Sequence, residues 1–412
     1  MSSAAHDGHQ NNSQDLVNLD IPYIPLTFDN SSPDESALQL VQAYAPEWKD
    51  ENEGPVVFHR FTDGITNTLT KATKKRPGKT SSEVDQEAIL LRAYGQGTDV
   101  LIDRNREIKA HGALSKRGLA PALLARFDNG LMYRFVEGDV CAPQDLRKEE
   151  VYRQVARRLG QWHAVVPITE ISEELSTNGV SNGHVAAKVT PSLWTVMHQW
   201  LNAVPQRTTE QQEQKRTLTL ELESLEQRFG QLPGLLGKSL VFGHCDLLSG
   251  NVIIQSEKQL GAERPVSFID YEYATPSPAA FDIANHFAEW AGFDCDHSAC
   301  PTRSVRRDFI QHYVLSFYQE AIAELEHPGV EIDMKAAITQ LYDQVDACRG
   351  LPGFYWGVWS LIQAEISQID FNYAEYAQIR LGEYWAWKSE DDGSRARDGR
   401  EMPLRERRWA QQ

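Results

Sequence analysis

Between Pro55 and Val136 the apolar residues come in short runs: PVVFHRF, NTLTKAT and EAILLRAYG, then, past a more polar stretch, ALLARF and LMYRFV. Runs of this length, bounded by Gly-, Asp- or Lys-rich turns, predict strands, and their close succession predicts an antiparallel sheet. The last two flank Asp128-Asn129-Gly130, a hairpin signal because Asn and Gly tolerate positive φ. KKRPGK (74–79) lies between two strands and reads as a solvated hairpin tip rather than a nucleic-acid patch. Asp103 is placed to cap a helix through DRNREIKAHGALSKRG, with Ile108 and Leu114 as its apolar residues and Gly118 as its stop. The predicted order is β-β-β-α-β-β.

From Glu149 the period changes. Val151, Val155, Leu159 and Trp162 recur at helical spacing, as do the apolar residues of DFIQHYVLSFYQEAIAEL and GFYWGVWSLIQAEISQI. The pattern predicts an α+β protein, a small antiparallel sheet lobe over 31–137 followed by a larger, mainly helical lobe over 138–390. Residues 1–30 are polar and aperiodic, the composition of a disordered tail, and 391–412 read as a charged tail. ITEISEELSTNGVSNGHVAAK, within the helical region, reads as an exposed loop. No internal repeat is evident.

Composition narrows the partners. With 412 residues, 41% of them apolar, the chain can supply a substantial core. It has 41 basic against 58 acidic residues, a net charge of -17, which argues against a general nucleic-acid binder or a protein held to anionic lipid by charge. A small cationic substrate suits that balance. Five scattered cysteines imply thiols rather than a disulfide framework, and Cys295 and Cys300 read as loop cysteines rather than half of a zinc site. The polar start and the lack of any apolar stretch of membrane-spanning length predict a cytoplasmic protein with no membrane span.

The polar break in GHCDLLSGNVII carries the chemistry. Phosphoryl transfer requires a protein to position a hydroxyl, a nucleotide and a metal rather than to perform covalent chemistry, and its recurrent loop has an acid followed five positions later by an amide. Asp246 and Asn251 have that spacing, and VSFID supplies a second metal carboxylate, Asp270, at the end of a strand. A structural polar loop is the alternative. FTDGITNTLT offers a single-Gly turn with Thr66 and Asn67 as phosphate donors, and no Walker A lysine motif occurs. Arg92 stands where a kinase lysine would, with Glu107 as a candidate partner; a surface ion pair is the competing reading. Trp356, Trp359 and Tyr376 are either core aromatics or a wall for a cation, completed by Glu289.

Taken together, FTDGITN, LIDRNREIKAHG, APALLARFDNGLMYRFVEG, GHCDLLSGN, FIDYEYA, FDIANHFAEWAG and FYWGVWSLIQAEISQIDFNYAEYAQIR resemble the choline/ethanolamine kinase family, most closely its ethanolamine branch. The resemblance runs from about Phe58 to Arg380. It implies a protein-kinase-like two-lobe fold with ATP in the cleft, and ATP-dependent phosphorylation of ethanolamine as the first step of phosphatidylethanolamine synthesis by the CDP-ethanolamine route. It further implies Asp246 as catalytic base and Asn251 and Asp270 as Mg2+ ligands. Asp63, Gly64, Ile65, Thr66 and Asn67 would cover the phosphates, Arg92 with Glu107 would hold them, and Arg134, Phe135 and Val136 would take the adenine. Glu289, Tyr273, Trp356, Trp359 and Tyr376 match the amino-alcohol pocket, and a homodimer is compatible with the resemblance. Leu248 and FTDGITN favour ethanolamine, whereas Trp290 leans toward choline, so a choline or dual kinase is the first alternative. An inactive kinase-fold scaffold is the second, disfavoured because all three polar groups are retained.

Overall fold

The computed structural model of the protein describes residues 21–61, 67–95, 97–170, 191–255, 264–323, 332–367 and 369–412. Asp63, Gly64, Ile65 and Thr66 lie outside them, as do residues 1–20 and most of the loop read over 168–188. The chain forms two compact units. One comprises Met1–Thr98 with Arg104–Glu137, the other Asp99–Asp103 with Gly138–Gln412.

The first unit contains β1 (Tyr23–Ile24), α1 (Pro33–Tyr44), β2 (Val56–Phe61), β3 (Asn67–Lys74), α2 (Ser81–Glu87), β4 (Ile89–Tyr94), α3 (Arg104–Ser115), β5 (Leu123–Phe127) and β6 (Gly130–Arg134). The strands form one sheet in the order β1-β5-β6-β4-β3-β2, antiparallel except where β1 runs parallel to β5. Period-two alternation sorts β4 between two cores. Ile89, Leu91 and Ala93 join Leu40, Val41 and Trp48, whereas Leu90 and Tyr94 pack with Ile108, Leu131 and Tyr133. Arg92 shares the register parity of Leu90, which is why it meets α3.

Three expectations change here. Residues 21–30 are not a tail: β1 is a sheet strand, and Ile24 and Phe28 are buried in the core. α1 was legible in its Pro at the first turn, Asp34 and Glu35 behind it, and the spacing of Ala37, Leu40 and Val41. The 74–79 segment is solvated from Lys75 on, but Lys74 is buried and the connection to β4 is not a tight hairpin. Lys74 ends β3 with its Nζ donating to the carbonyls of Trp48 (2.8 Å) and Asp50 (2.7 Å), and α2 follows behind a Thr80–Glu83 capping box. Finally, neither Asn129 nor Gly130 has positive φ. Gly130 is required for space instead, since a Cβ there would lie 2.1 Å from the Arg92 carbonyl oxygen and 2.4 Å from the Phe127 ring.

The second unit is mainly helical: α4 (Glu149–Val165), α5 (Leu193–Ala203), α6 (Thr209–Phe229), α7 (Ala279–Glu289), α8 (Arg303–Ala323), α9 (Met334–Cys348), α10 (Leu351–Ile366), α11 (Tyr373–Asp391), α12 (Ser394–Arg397) and α13 (Leu404–Ala410). Two small sheets interrupt the helices, β10 (Val266–Phe268), β9 (Val252–Ile254) and β7 (Asp139–Val140) in one, β11 (Thr275–Ser277) and β8 (Val241–Gly243) in the other. Val151, Val155, Leu159 and Trp162 of α4 are all buried, and the Trp162 indole donates to the Phe242 carbonyl at 2.7 Å, fixing β8. No described helix is long and apolar enough to cross a membrane.

The end of the chain departs from the charged tail expected of it. α11 continues to Asp391, and α13 buries Arg405, Glu406 and Trp409, with the Arg306 guanidinium 3.9 Å from the Trp409 ring. Arg405 and Glu406 pair with one another inside the fold, whereas Asp398, Arg400, Glu401 and Arg407 stay exposed, a distinction that composition does not register.

Candidate active site

β8 delivers the chain into residues 243–251, and α7 holds that loop from behind. Cys245 sits at φ +61, a conformation that L side chains rarely adopt and that the surroundings must enforce. Asp282 does so, accepting the backbone N–H of His244 at 2.9 Å and of Cys245 at 2.7 Å. Asn285 donates to the Cys245 carbonyl (2.9 Å), and the His286 ring bonds the Leu247 carbonyl (2.8 Å). These three side chains stand at i, i+3 and i+4, on one face of a helix. Gly243 keeps the approach open, for a Cβ there would lie 2.2 Å from Ser277 Oγ and 3.3 Å from Asp282 Cγ.

Asp282 is itself supported. Burial pushes its pKa up, but its bond to His163 Nε2 (2.9 Å), its attraction to His163 and His244, and the Cys245 N–H outweigh that and leave it lowered. His163 is anchored in turn by the Tyr313 hydroxyl at 2.7 Å. Sequence reasoning missed Asp282, Asn285, His286 and His163. The signal was three polar residues at helical spacing in FDIANHF, otherwise apolar and wholly buried.

The loop's own polar groups converge. Asn251 Nδ2 donates to the Asp246 carbonyl (2.8 Å) and to Asp246 Oδ2 (3.1 Å), leaving its amide oxygen for another partner. The Ile269 N–H bonds the Asn251 carbonyl at 3.0 Å, bringing the exit of β10 to the loop, and Asp270 follows at φ +64. Burial, followed by the charges of Asp270, Glu289 and Glu272, raises the pKa of Asp246 well above the usual carboxylate value; the Asn251 bond opposes this. Four carboxylates therefore share one buried field. Such a cluster is stabilised by cations, and two acids with one amide are hard oxygen donors suited to Mg2+. Among the described residues, no group of three or more His, Cys, Asp or Glu forms a metal cage. An open set of few ligands is the form Mg2+ takes beside phosphates.

An aromatic wall adjoins the acids. The Trp356 indole donates to Asn285 Oδ1 and the Trp359 indole to the Tyr273 hydroxyl, both at 2.9 Å. The two indoles stand perpendicular with centroids 5.4 Å apart, and Tyr273 meets Trp356 edge-on at 5.7 Å. Burial, Glu272 and Asp246 raise the Tyr273 pKa well above its ordinary value, so its hydroxyl stays protonated. Tyr376 packs on Phe371 at 5.5 Å. These rings are core by burial, yet Asn285 and Tyr273 tie them directly to the loop and the acids. Glu289 is salt-bridged to Arg380 at 3.2 Å, and Trp290 engages His286, Tyr152 and Phe287.

In the first unit Arg92 and Glu107 are 3.4 Å apart, with side chains only 5% and 2% exposed, which excludes a surface pair. Arg104 reaches the other Glu107 oxygen at 3.0 Å. Asn67 opens β3. Two of the three amides over 134–136 are committed, Arg134 to Ala122 and Phe135 to Ala88. A base reading this segment would use the Val136 amide or the carbonyls.

Comparison with known proteins agrees with this architecture. A model of the family described as choline/ethanolamine kinase matches residues 58–385. Ethanolamine kinase 1 of Homo sapiens is 32% identical, over 86% of this chain and 72% of that protein. The probable ethanolamine kinase of Arabidopsis thaliana is 31% identical over 90% and 92%. The solved structure of an ethanolamine kinase from Plasmodium vivax superposes with a TM-score of 0.65 at 25% identity, covering 92% of this chain and 95% of that one. A sheet unit and a helical unit, in that order, matched along nearly their whole length, place this chain in the choline/ethanolamine kinase family with its protein-kinase-like fold.

Proposed function

We propose that the protein transfers the γ-phosphoryl group of ATP to the hydroxyl of ethanolamine, the first step toward phosphatidylethanolamine by the CDP-ethanolamine route. The observation that carries this reading is the convergence of the buried Asp246 and Asn251 with the half-buried Asp270 beside an aromatic wall. In the reaction the substrate oxygen forms a bond to the γ-phosphorus, the bond from that phosphorus to the β-bridging oxygen breaks, and ADP leaves with its electron pair. Asp246 receives the hydroxyl proton. A base with a raised pKa is matched to that task, since proton transfer is most efficient when the pKa approaches the working pH. Asn251 and Asp270 would hold Mg2+, which when bound supplies charge neutralisation to the phosphate oxygens.

The nucleotide side is assigned to Asp63, Gly64, Ile65, Thr66, Asn67, Arg92 and the 134–136 segment, with Glu107 steadying Arg92. A guanidinium paired with a buried carboxylate is held in one orientation, which suits a cation that must meet phosphate oxygens. The ammonium of the substrate is assigned to Glu289, Tyr273, Trp356, Trp359 and Tyr376. An ammonium carries three N–H donors and gains most from carboxylates, so the density of acids around Asp246 favours ethanolamine. The perpendicular Trp356 and Trp359 rings favour a second activity on choline, whose methylated cation has no N–H to donate and gains from ring faces. A cytoplasmic, homodimeric enzyme completes the proposal.

The test is ADP release by the purified protein with ATP, Mg2+ and either amino alcohol, with kcat/KM compared between the two. Higher kcat/KM for ethanolamine is expected. No release with either compound, from folded protein, would leave the scaffold reading in its place.

A further inference from the structure

The proposed ammonium partner, Glu289, is the end of a buried chain of alternating charges within the second unit. Arg380 bridges Glu289 (3.2 Å) and Glu383 (3.4 Å), and its other end reaches the Tyr376 hydroxyl at 3.4 Å. Glu383 also meets His297 Nε2 at 2.7 Å and Arg405 Nε at 4.0 Å. Arg405 pairs with Glu406 (3.3 Å) and donates to the Arg349 carbonyl (2.6 Å), and Glu406 pairs with the Arg349 side chain at 2.9 Å. Glu289, Arg380, Glu383, Arg405 and Glu406 are each nine-tenths or more buried. The links span α7, α11 and α13, so the end of the chain is wired to the substrate side of the site.

Charge counting gives this chain a purpose. A lone Arg380–Glu289 pair would be neutral and would offer an ammonium little. A lone buried Glu289 would tend to be protonated, because desolvation disfavours its charged form. With one guanidinium shared between two acids, burial and Glu383 push the Glu289 pKa up while Arg380 pulls it down, and the three groups together hold one more acid than base. We propose that Glu383 is a positioning residue for amino-alcohol recognition: by drawing Arg380 toward itself it leaves Glu289 with charge to spend on the substrate ammonium, while Arg405 of the C-terminal helix competes with Arg380 for Glu383.

This inference rests on the assignment of Glu289 to the ammonium, and the test separates the two. In Glu383→Gln, Arg380 has only Glu289 to neutralise. The KM for ethanolamine should then rise roughly tenfold, the scale of one lost charge-assisted contact, with kcat and the KM for ATP within about twofold. Glu383→Asp should restore most of the difference. Arg405→Gln removes the competitor, tightens Glu383 on Arg380 and should lower the ethanolamine KM about twofold, opposite in sign to Glu383→Gln. General loosening of the fold would move both variants the same way. An unchanged ethanolamine KM in folded Glu383→Gln overturns the inference, as do shifts of equal sign in the two variants. If Glu383→Gln does not fold, Glu383→Asp and Arg405→Gln decide, and the inference falls unless the first raises KM and the second lowers it. A wild-type enzyme that turns over no amino alcohol would instead overturn the functional reading beneath it.

Discussion

The buried ion pairs of the first unit and the acids around Asp246 in the second place charge in opposite ways. In the first, Arg92 faces Glu107, Glu107 is shared with Arg104, and Lys74 is bound by two carbonyls. In the second, Asp270, Glu289 and Glu272 gather around Asp246, and burial together with their charges drives its pKa up. A satisfied buried pair is a framework whose removal leaves a stranded charge. A buried cluster of like charges is a standing cost that a cationic ligand relieves. The difference separates groups that hold a shape from groups that wait for a substrate.

Asp246→Asn should break that contrast most severely. Without a base, turnover falls by about two to four orders of magnitude, while the KM for ATP changes little, because the lost interaction belongs to the transition state. Yet the metal- and nucleotide-free protein should become more stable, by a few degrees in Tm, since one repelling charge is gone. Steady-state kinetics and thermal melting on the same sample check both. A variant that is slow and also less stable would place Asp246 among the framework residues.

Arg92→Met is the converse experiment. It strands Glu107 with only Arg104, and breaking a buried pair in this way costs about 3 kcal/mol. Urea unfolding should show that loss, and the KM for ATP should rise together with it. Arg92→Lys should recover stability better than the ATP KM, because an ammonium can pair with Glu107 but lacks the planar fork.

How far this division was legible follows from what each feature demands of the sequence. Asp246, Asn251 and Asp270 could be read because a strand, a polar break of fixed spacing and a second strand form a local pattern. Part of their company could not: Glu289 was read beside the aromatics, but Glu272 joins Asp246 only through the fold, and the loop's conformation depends on Asp282, Asn285 and His286 from a helix more than thirty residues on. The sheet was legible from its alternation, whereas α2 and the burial of Lys74 were hidden by a run of charge that looked solvated. The same error, repeated at 391–412, concealed Arg405, Glu406 and Trp409. Composition counts charges but does not show which are paired.

Because the Asp246 pKa is higher in the folded protein than its ordinary 3.8, the folded state keeps a proton that the unfolded chain gives up. That contribution to stability is full below pH 3.8 and is lost as pH rises through the folded value. Glu383 acts oppositely: burial raises its pKa, but Arg380, His297 and Arg405 bring it down to about 2, so its contribution is present above 4.5 and lost as pH falls through about 2. Chemical denaturation of the metal-free protein from pH 5 to 8 should therefore show a downward slope that Asp246→Asn reduces, by at most roughly 1.4 kcal/mol per pH unit for one proton. Mg2+ with nucleotide should flatten it as well. A slope identical in wild type and Asp246→Asn would mean that the acids do not feel one another.

The finest distinction concerns Trp359, which belongs to the core by burial and to the acid cluster by its bond to Tyr273. Trp359→Phe keeps a ring but deletes the indole N–H, leaving the Tyr273 hydroxyl without that donor at a cost of about 1 kcal/mol. If the residue only fills space, this loss appears in unfolding free energy and nowhere else. If its face meets the substrate cation, the smaller π surface weakens binding as well, raising the amino-alcohol KM by a few-fold, since Trp is the strongest of the aromatic partners for a cation. The rise should be larger for choline than for ethanolamine, because only the ammonium can fall back on hydrogen bonds to the carboxylates. The ratio of the two KM changes is thus the most discriminating readout: greater than one, it makes Trp359 a wall of the cation site, and equal to one with both KM values unchanged, it returns the residue to the framework.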